Sequence, residues 1–387
     1  MLLLVAALAY AGGTIAYLPL LTLLLPIKVA AMAGTERIGV LTAAAIWGAV
    51  AASISNIVFG WLSDRSMERR HGRRGWILLG CVGLALAYGQ IAQAGSAADL
   101  IVAVVLFQCA VNAILAPLLA ILAEEVPDAQ KGLLAGLMAW AAPAASALAV
   151  LVITTTALNE VGRLAMVAAV AVACVMPVTL LRSPLRDLGS TESTNEHVSS
   201  HDLLIAWSAR LLVQVAGNVL GLYLLYYLDS IAPELTTPAL AAQASQALAL
   251  AYVASLPIAL LIGILSDRTG RRKPFLVGAS VLMTVGLLVM AIASDPLTGK
   301  IGFGINVVGM QVFVNLHAAF AMQVLPDRAH RGRDLGLLNL TNTLPGVVGP
   351  ALTWLLATPR NFAPLMVTLA MLTLVGGMLM IFVRRQP

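Results

Sequence analysis

Charged residues are scarce in this sequence. Of its 387 residues only 11% are Asp, Glu, Lys or Arg, whereas 60% are hydrophobic, and the mean hydropathy is +0.93. A soluble domain carries roughly 25% charged residues, so this chain has too little polar material to cover a surface that faces water. The composition excludes an ordinary soluble protein and predicts one whose surface faces lipid.

Cysteine is also rare, and its three positions lie inside apolar runs. The positions of Cys81, Cys109 and Cys174 suit small core hydrophobes better than a disulfide framework or a metal site. The sequence pI is near 9.3, but the basic residues lie in short loops between apolar runs rather than on one soluble face. We therefore expect no cofactor, no metal and no nucleic-acid partner.

Apolar runs long enough to cross a bilayer recur along the whole chain. A hydrocarbon core of roughly 30 Å needs about twenty apolar helical residues. Runs of that length occupy residues 2–31, 38–62, 75–94, 98–123, 132–157, 163–181, 203–230, 238–265, 274–294, 299–324, 334–358 and 362–383. The sequence predicts twelve membrane-spanning helices. The first run has no basic leader and no cleavage site, so we expect a retained helix rather than a signal peptide.

A polar segment separates the first six runs from the last six. Residues 182–202 include STESTNEHVSSHD, a composition too polar to pack into a core. We interpret this segment as a cytoplasmic linker between an N-terminal six-helix bundle, residues 1–181, and a C-terminal six-helix bundle, residues 203–387.

The distribution of Lys and Arg predicts the orientation. Seventeen of these residues lie on one side of the predicted membrane and only four, Arg37, Arg163, Lys300 and Arg360, on the other. Cytoplasmic loops are enriched in positive charge, so we expect both termini and the linker to be cytoplasmic. We expect a multi-pass protein of a plasma membrane, namely a bacterial inner membrane.

Two motifs repeat between the halves. GWLSDR at residues 60–65 recurs as GILSDR at residues 263–268, each at the inner end of the second helix of its half. PDAQKGLLAG, from Pro127, corresponds to PDRAHRGRDLG, from Pro326. Because both copies lie on the same predicted side, the halves are parallel repeats related by an axis along the membrane normal.

At these motifs the sequence resembles the major facilitator superfamily, whose loop between helices 2 and 3 reads roughly G-x-x-x-D-R-x-G-R-R. The second copy, GILSDRTGRRK, follows that pattern closely, and the first, GWLSDRSMERRHGRRGW, carries a longer insert. The first copy and RGRDLGLLNLTNTLPGVVGP, from Arg331, also resemble the sucrose-type and glycoside-type symporters. The resemblance implies an all-α membrane protein with twelve transmembrane helices in two six-helix bundles, the major facilitator fold.

The match to the sucrose-type pattern is incomplete on helix 4. Asn112 and Pro117 fit that pattern, but Leu119 stands where it has an Arg, and Glu124 where it has an Asp. Helix 2 also lacks the intramembrane Asp residues that bind a coupling cation in melibiose-type members. The coupling candidates in this sequence are His317, Glu124 and Asp229.

The repeated loops predict a gate. A carboxylate there can accept hydrogen bonds from a helix N-terminus, or pair with the adjacent arginines, in one conformation only. We call such an ion pair a latch, and the resemblance implies that it closes the cytoplasmic side. The gating candidates are Asp64, Arg65, Arg73, Arg74, Asp267, Arg268, Arg271 and Arg272. Topology alone would explain the arginines but not the Asp or Gly residues.

Polar residues inside the spans are candidates for solute binding, because polar groups are costly in lipid and usually face the bundle interior. The resemblance implies that helices 1, 4, 7 and 10 line the cavity. Their candidates are Tyr17, Gln108, Asn112, Arg210, Gln214, Asn218, Asn306, Gln311, Asn315 and His317. On helix 1, Thr14, Tyr17 and Lys28 form one stripe, and we expect Lys28 to extend to the membrane interface.

These features predict a secondary transporter that moves a small polar solute by alternating access. The resemblance favours a sugar or glycoside as solute, with proton coupling, whereas Arg210 and His317 favour an organic anion, imported or exported. A non-transporting membrane receptor or assembly partner on the same fold is the alternative class. We expect no enzymatic activity, partners limited to the solute and the bilayer, and a monomer.

Overall fold

The computed structural model describes residues 2–68, 72–180, 200–324, 341 and 343–383. These residues are helical almost throughout. The helices, here called α1 to α12, are Leu2–Pro19 continued by Leu20–Leu24 and Leu25–Ala33 (α1), Arg37–Glu68 (α2), Arg74–Gln93 (α3), Ala97–Glu125 (α4), Asp128–Met138 with Ala141–Thr154 (α5), Glu160–Leu180 (α6), Ser200–Ile231 (α7), Thr237–Thr269 (α8), Lys273–Ile292 (α9), Pro296–Val324 (α10), Pro345–Leu356 (α11) and Ala363–Leu379 (α12).

Most of the described helices are long and apolar enough to cross a membrane. Ten described segments meet that criterion, the first of which, Leu3–Ser66, contains both α1 and α2, and Pro345–Leu356 is a shorter apolar helix. Lipid offers no hydrogen-bond partners, so the backbone N–H and C=O groups of each span must bond to one another, as they do in an α-helix. The prediction of an all-α membrane protein with twelve spans is confirmed.

Two proline-linked irregularities interrupt these helices. In α1, residues Leu20–Leu24 form a π-helical turn in which the Leu25 N–H bonds to the Leu20 carbonyl, immediately before Pro26. In α5, predicted as one continuous span, residues 139–140 form a turn. Pro143 lacks the N–H that would bond to the carbonyl four residues earlier, and its ring clashes with that carbonyl in a continuous helix.

The chain divides into two compact units, Met1–Thr191 and Glu192–Pro387. In the first unit α4 packs on α2 and α3, and α1 packs on α4, α5 and α6, with α3 also against α6. The second unit repeats these pairs six helices later: α10 packs on α8 and α9, and α7 on α10, α11 and α12, with α9 against α12. The repeat predicted from the loop motifs therefore extends to the packing. The predicted linker, residues 182–202, lies almost wholly outside the described residues.

Glycine allows close contact between α9 and α10. A Cβ on Gly286 would lie 2.6 Å from the backbone N of Asn306 and 2.6 Å from the carbonyl oxygen of Gly302. A Cβ on Gly309 would lie 2.7 Å from the Ala279 carbonyl oxygen. Small residues let membrane helices approach backbone to backbone, so these two helices touch without an intervening layer of side chains.

Two helices start with side-chain caps, at the end of the helices opposite the repeated loops. Ser96 and Asp99 form a capping box at the start of α4. Before α10, Asp295 accepts hydrogen bonds from the Thr298 hydroxyl and from the backbone N–H groups of Leu297 and Thr298. The hydrogen bonds from Thr298 contribute most to holding the pKa of Asp295 below its ordinary value, because each stabilises the ionised carboxylate.

Candidate functional site

Polar residues of α4 pair with α2 in the first unit. Gln108 and Asn112 lie one helical turn apart, and Asn112 is 8% exposed. The Nδ2 of Asn56 on α2 donates to the Asn112 Oδ1 at 3.0 Å. Asn112 Nδ2 in turn donates to the Gln108 carbonyl oxygen at 2.9 Å. These bonds fix the Asn112 amide and leave one of its two N–H hydrogens for another acceptor.

The predicted stripe on α1 is interrupted. Thr14 and Tyr17 precede the π-helical turn at Leu20–Leu24, and Lys28 follows it. In a regular α-helix Lys28 would lie within about 40° of Thr14 around the axis, but a π turn inserts roughly one residue and so rotates everything beyond it by about 100°. Lys28 therefore leaves the face that carries Thr14. Tyr17 is half-buried.

The Lys28 side chain is buried against the ends of two neighbouring helices. Its side chain is 8% exposed, and its Nζ lies 2.6 Å from the Glu160 Oε1 at the start of α6. The same Nζ donates to the Ala92 carbonyl oxygen on α3 at 3.2 Å. Lys28 thus joins α1, α3 and α6, and its ammonium group is engaged by protein atoms instead of water.

In the second unit, polar residues of α7 contact Thr341 and α11. Arg210, Gln214 and Asn218 follow each other at intervals of one turn. Gln214 Nε2 donates to the Thr341 carbonyl oxygen at 3.0 Å. Asn218 packs on Gly349 of α11, where a Cβ would lie 3.1 Å from its Oδ1. That oxygen is buried and has no donor among the described residues.

His317 on α10 is anchored to α7. Its ring is fully buried, lies nearly parallel to the Phe313 ring with centroids 5.7 Å apart, and places Nε2 2.8 Å from the Ala206 carbonyl oxygen. A carbonyl oxygen only accepts hydrogen bonds, so Nε2 carries a proton. Ala206 is one turn from Arg210, whose positive charge acts on His317. The structure thus brings together two of the predicted site residues.

The other candidates on α10 occupy different surroundings. Asn306 is fully buried, and its Nδ2 donates to the Met283 carbonyl oxygen of α9 at 3.3 Å, so its amide serves the contact between α9 and α10. Gln311 is half-buried and Asn315 is exposed. Neither side chain makes a hydrogen bond within the described part of the chain.

The remaining coupling candidates lie far from His317 or outside the description. Asp229 is half-buried on α7, 23 residues beyond Ala206 and therefore roughly 34 Å away along the helix axis. This distance rules out direct proton exchange between Asp229 and His317. The side chain of Glu124 lies outside the described residues.

Ion pairs connect the first copy of the repeated loop to its neighbours. Arg73 donates to the Ser63 Oγ at 2.9 Å and pairs with Asp64. The Arg74 guanidinium contacts two helices, since its Nη2 lies 3.0 Å from the Glu125 Oε1 of α4 and its Nε donates to the Val178 carbonyl oxygen of α6 at 3.2 Å. This cluster links the loop to α4 and α6.

The second copy repeats the backbone geometry but pairs differently. Gly72 and Gly270 both have positive φ angles, +74° and +61°, which a residue without Cβ adopts readily. Asp267 pairs with Arg272 at 3.2 Å, whereas Asp64 pairs with Arg73, the residue directly after the glycine. Arg268 and Arg271 are exposed, and Arg65 lies over the Trp61 ring, 5.3 Å from its centroid.

Sequence reasoning missed three polar partners: Asn56, Glu125 and Glu160. Asn56 lies on helix 2, outside the four helices that the resemblance assigns to the cavity, although an amide in the middle of an apolar run is itself a signal. Glu125 adjoins Glu124, the residue at the Asp position of the sucrose-type pattern. Glu160 could be predicted as the partner of Lys28 only if the π-helical turn were known.

The C-terminal half of the chain matches a known family in sequence. Residues 203–387 match the sequence profile described as Major Facilitator Superfamily. No curated protein matches the chain in sequence.

Solved transporters share the fold along nearly the whole chain. The crystal structure of a mutant of the nucleoside transporter NupG superposes with a TM-score of 0.74 at 12% identity and covers 100% of both chains. A D-xylose-proton symporter gives 0.75 at 13% identity, covering 100% of this chain and 98% of its own. A mutant of the peptide transporter POT gives 0.74 at 14% identity, covering 98% and 93%.

At identities this low, the structural match establishes a shared fold and says nothing about the solute. The repeated helix packing and the paired loops agree with that fold in both units. The C-terminal half of the chain thus matches the major facilitator superfamily in sequence, and the whole chain shares the fold of three solved transporters.

Proposed function

We propose that this protein is a secondary transporter that moves a small polar solute across a membrane by alternating access. The observation that carries the proposal is the polar cluster of Arg210, Gln214 and His317 inside apolar helices. Arg210 lies seven residues, roughly 10 Å, beyond the start of the predicted span at residue 203. A charged group at such depth is costly in lipid and marks a solute or ion pathway more often than a structural contact.

Each unit, taken by itself, carries proposed solute contacts. In the first unit they are Tyr17, Gln108 and Asn112, and in the second they are Arg210, Gln214, Asn218, Gln311, Asn315 and His317. Asn112 has a remaining N–H and Asn218 a buried acceptor oxygen, which suit a solute rich in hydroxyl or carboxylate groups. We leave Asn306 out, because its amide is used between α9 and α10.

Two solute classes are supported by different observations. The resemblance of the loops to sucrose-type and glycoside-type symporters favours a sugar, and one protein of the same fold is a D-xylose-proton symporter. Arg210 favours an organic anion, because a guanidinium in a low-dielectric site binds carboxylate with charge-assisted hydrogen bonds. His317 is the proposed proton carrier in either case.

The proposed arrangement in the cell follows the positive-inside distribution. Residues 1–181 and 203–387 form the two bundles, with both termini and the 182–202 linker on the cytoplasmic side of a bacterial inner membrane, and the protein acts as a monomer. A Ser190→Cys variant without the three native cysteines tests this topology. Labelling by an impermeant maleimide from the periplasm alone would contradict it.

Uptake into proteoliposomes separates a transporter from a non-transporting receptor on the same fold. Purified protein is first screened by thermal shift against sugars, sugar acids and small organic anions, since only a ligand of the folded state raises the melting temperature. The ligand found is then supplied in radiolabelled form to proteoliposomes. Accumulation above that of empty liposomes supports transport, whereas binding without any uptake or exchange would identify a receptor.

Substitution of Arg210 distinguishes the two solute classes. For an anion, Arg210→Gln should weaken binding by on the order of 2 kcal/mol or more, about thirtyfold, because the guanidinium supplies charge and hydrogen bonds. For a neutral sugar the loss should be smaller, since Gln keeps an N–H donor. Arg360→Gln, which removes an exposed loop arginine, is the matched control. Binding of an anion with parental affinity by Arg210→Gln would remove Arg210 from the site.

A further inference from the structure

A groove of about 650 Å³ runs along the second unit, and its lining residues belong to α8, α9 and α10. Its walls are apolar. Leu250, Ala254 and Ile258 follow one face of α8, while Ile301 and Ile305 follow one face of α10. The volume is in the range that binds a small molecule or a lipid chain, and none of the solute-site candidates lines it.

The floor of the groove is open because it contains a glycine. Gly304 of α10 lines the groove, and a Cβ built on it would have no atom within 4 Å. Elsewhere on the same helix, Gly302 and Gly309 are pressed against α9, where a Cβ would come within 3 Å of the backbone. Gly304 therefore serves no helix contact, and its missing side chain leaves space in the groove.

The groove is polar at one end only. Successive helices joined by short loops reverse direction, so α8 and α10 run the same way. Gln246 and Lys300, the polar lining residues, lie towards the N-terminal ends of these two helices, and Ile258 and Val308 lie at the other end. Lys300 follows the start of α10 by four residues, roughly 6 Å. A cation thus lies at the polar end of the groove, near the end of the span, and the apolar part of the groove continues towards the middle of the membrane.

Lys300 is available to an external anion. Its side chain is half-buried and forms no ion pair with any described residue. The nearby carboxylate of Asp295 interacts with Lys300 only through its charge, because its oxygens accept the hydrogen bonds that cap α10. The local positive charge is consequently reduced but not neutralised.

We propose that this groove binds one anionic phospholipid of the bilayer, with an acyl chain along α8 and α10 and the phosphate against Lys300. The apolar walls match hydrocarbon, and the single cation at the polar end matches the charge of the headgroup. The polar groups of a small solute would lose their hydrogen bonds to water here, since the walls offer few hydrogen-bond partners. The site is separate from the proposed solute contacts.

Native mass spectrometry of the purified protein tests this proposal. The parent is incubated with an equimolar mixture of phosphatidylglycerol and phosphatidylcholine, and the bound lipids are counted. We expect one retained phosphatidylglycerol per chain. Lys300→Gln should lower its retention roughly fivefold, the effect of one basic side chain on an anionic headgroup. Gly304→Leu should abolish retention, because the new side chain occupies the groove.

Two control variants separate these effects from general damage. Gly278→Leu places the same side chain on α9 at a glycine whose Cβ would also meet no atom within 4 Å, and Arg360→Gln removes an exposed cation outside the groove. Both should retain the lipid like the parent. Equal retention of the two lipids by the parent, or of phosphatidylglycerol by all variants, would overturn the proposal. Binding of soluble glycerol 3-phosphate at the same Lys300-dependent site in place of the lipid would also overturn it.

Discussion

The ion pair between Lys28 and Glu160 shows how a single side chain connects three helices of the first unit. The Lys28 side chain is almost completely buried, whereas that of Glu160 is 52% exposed. Removing the carboxylate would leave a buried ammonium group with one carbonyl partner, the Ala92 oxygen. An unpaired buried charge is far more costly than the loss of an exposed pair.

We therefore predict that Glu160→Gln lowers the free energy of unfolding by about 1–2 kcal/mol. This loss is smaller than that for a fully buried ion pair, because Glu160 is half-exposed. The melting temperature in detergent measures it. The double variant Lys28→Met with Glu160→Gln should recover part of the loss, since an apolar replacement removes the buried charge. Glu234→Gln, at an exposed loop carboxylate, should change stability by less than about 0.5 kcal/mol. Equal effects of both single variants would contradict a buried pair.

His317 allows a separate test of coupling. In His317→Gln the amide N–H can replace Nε2–H as donor to the Ala206 carbonyl oxygen, so the contact between α10 and α7 is kept while the titrating group is lost. We predict that accumulation driven by a pH gradient disappears while exchange of solute across the membrane persists. Uptake and counterflow in proteoliposomes measure the two. Retained pH-driven accumulation would exclude His317 as the proton carrier.

Single residues could be predicted from the sequence where the regular helix repeat holds, and not where it fails. The spacing of Gln108 and Asn112 correctly placed them one turn apart on α4. The position of Lys28 was misjudged because the π-helical turn rotates the end of α1, and hydropathy carries no information about such a turn. The partner of Asn112, Asn56, belongs to another helix, and its selection depends on packing.

At the scale of helices, apolar run length predicted the spans well because lipid imposes a minimum length on every helix. The structure places α4 at Ala97–Glu125 and α10 at Pro296–Val324, close to the predicted 98–123 and 299–324. The break in α5 was not predicted, since a proline inside an apolar run is compatible with a kinked or an interrupted helix.

The close contact of α9 and α10 gives a prediction at this scale. Gly286→Ala would place a methyl group 2.6 Å from backbone atoms of α10, which cannot move as a side chain can, so the helices must separate. We expect a loss of about 1–3 kcal/mol in the free energy of unfolding, measured by thermal or denaturant unfolding. Gly278→Ala on the same helix meets no atom within 4 Å and should be neutral, or stabilising by up to about 1 kcal/mol. The same loss from both substitutions would disprove the close contact.

For the whole molecule, the duplicated loops predicted a repeat that the helix packing confirms in both units. The pairing within the loops could not be predicted, because the segment from Asp64 to Gly72 in the first copy is longer than the segment from Asp267 to Gly270 in the second. Asp64 consequently reaches Arg73, and Arg74 is left to pair with Glu125 of α4.

The latch proposed for the first loop is tested by its effect on conformation. Asp64→Asn removes the charge that pairs with Arg73 and should favour the state in which this ion pair is broken. We predict lower transport at unchanged expression, with increased maleimide labelling of cysteines introduced on the cytoplasmic side. Glu36→Gln, at an exposed residue of the opposite end, should change neither. Normal transport with parental labelling would show that Asp64 is not part of a latch.

The backbone contact between α9 and α10 has a mechanical consequence. Helices separated by side chains can slide, since rotamers adjust, but Gly286, Gly302 and Gly309 bring main chain against main chain. We therefore expect the two helices to move as one rigid unit, so that a tilt of α10 would carry α9 with it. The lipid groove is lined in part by these two helices, so a bound phospholipid would contact a surface that keeps its shape when the helices move.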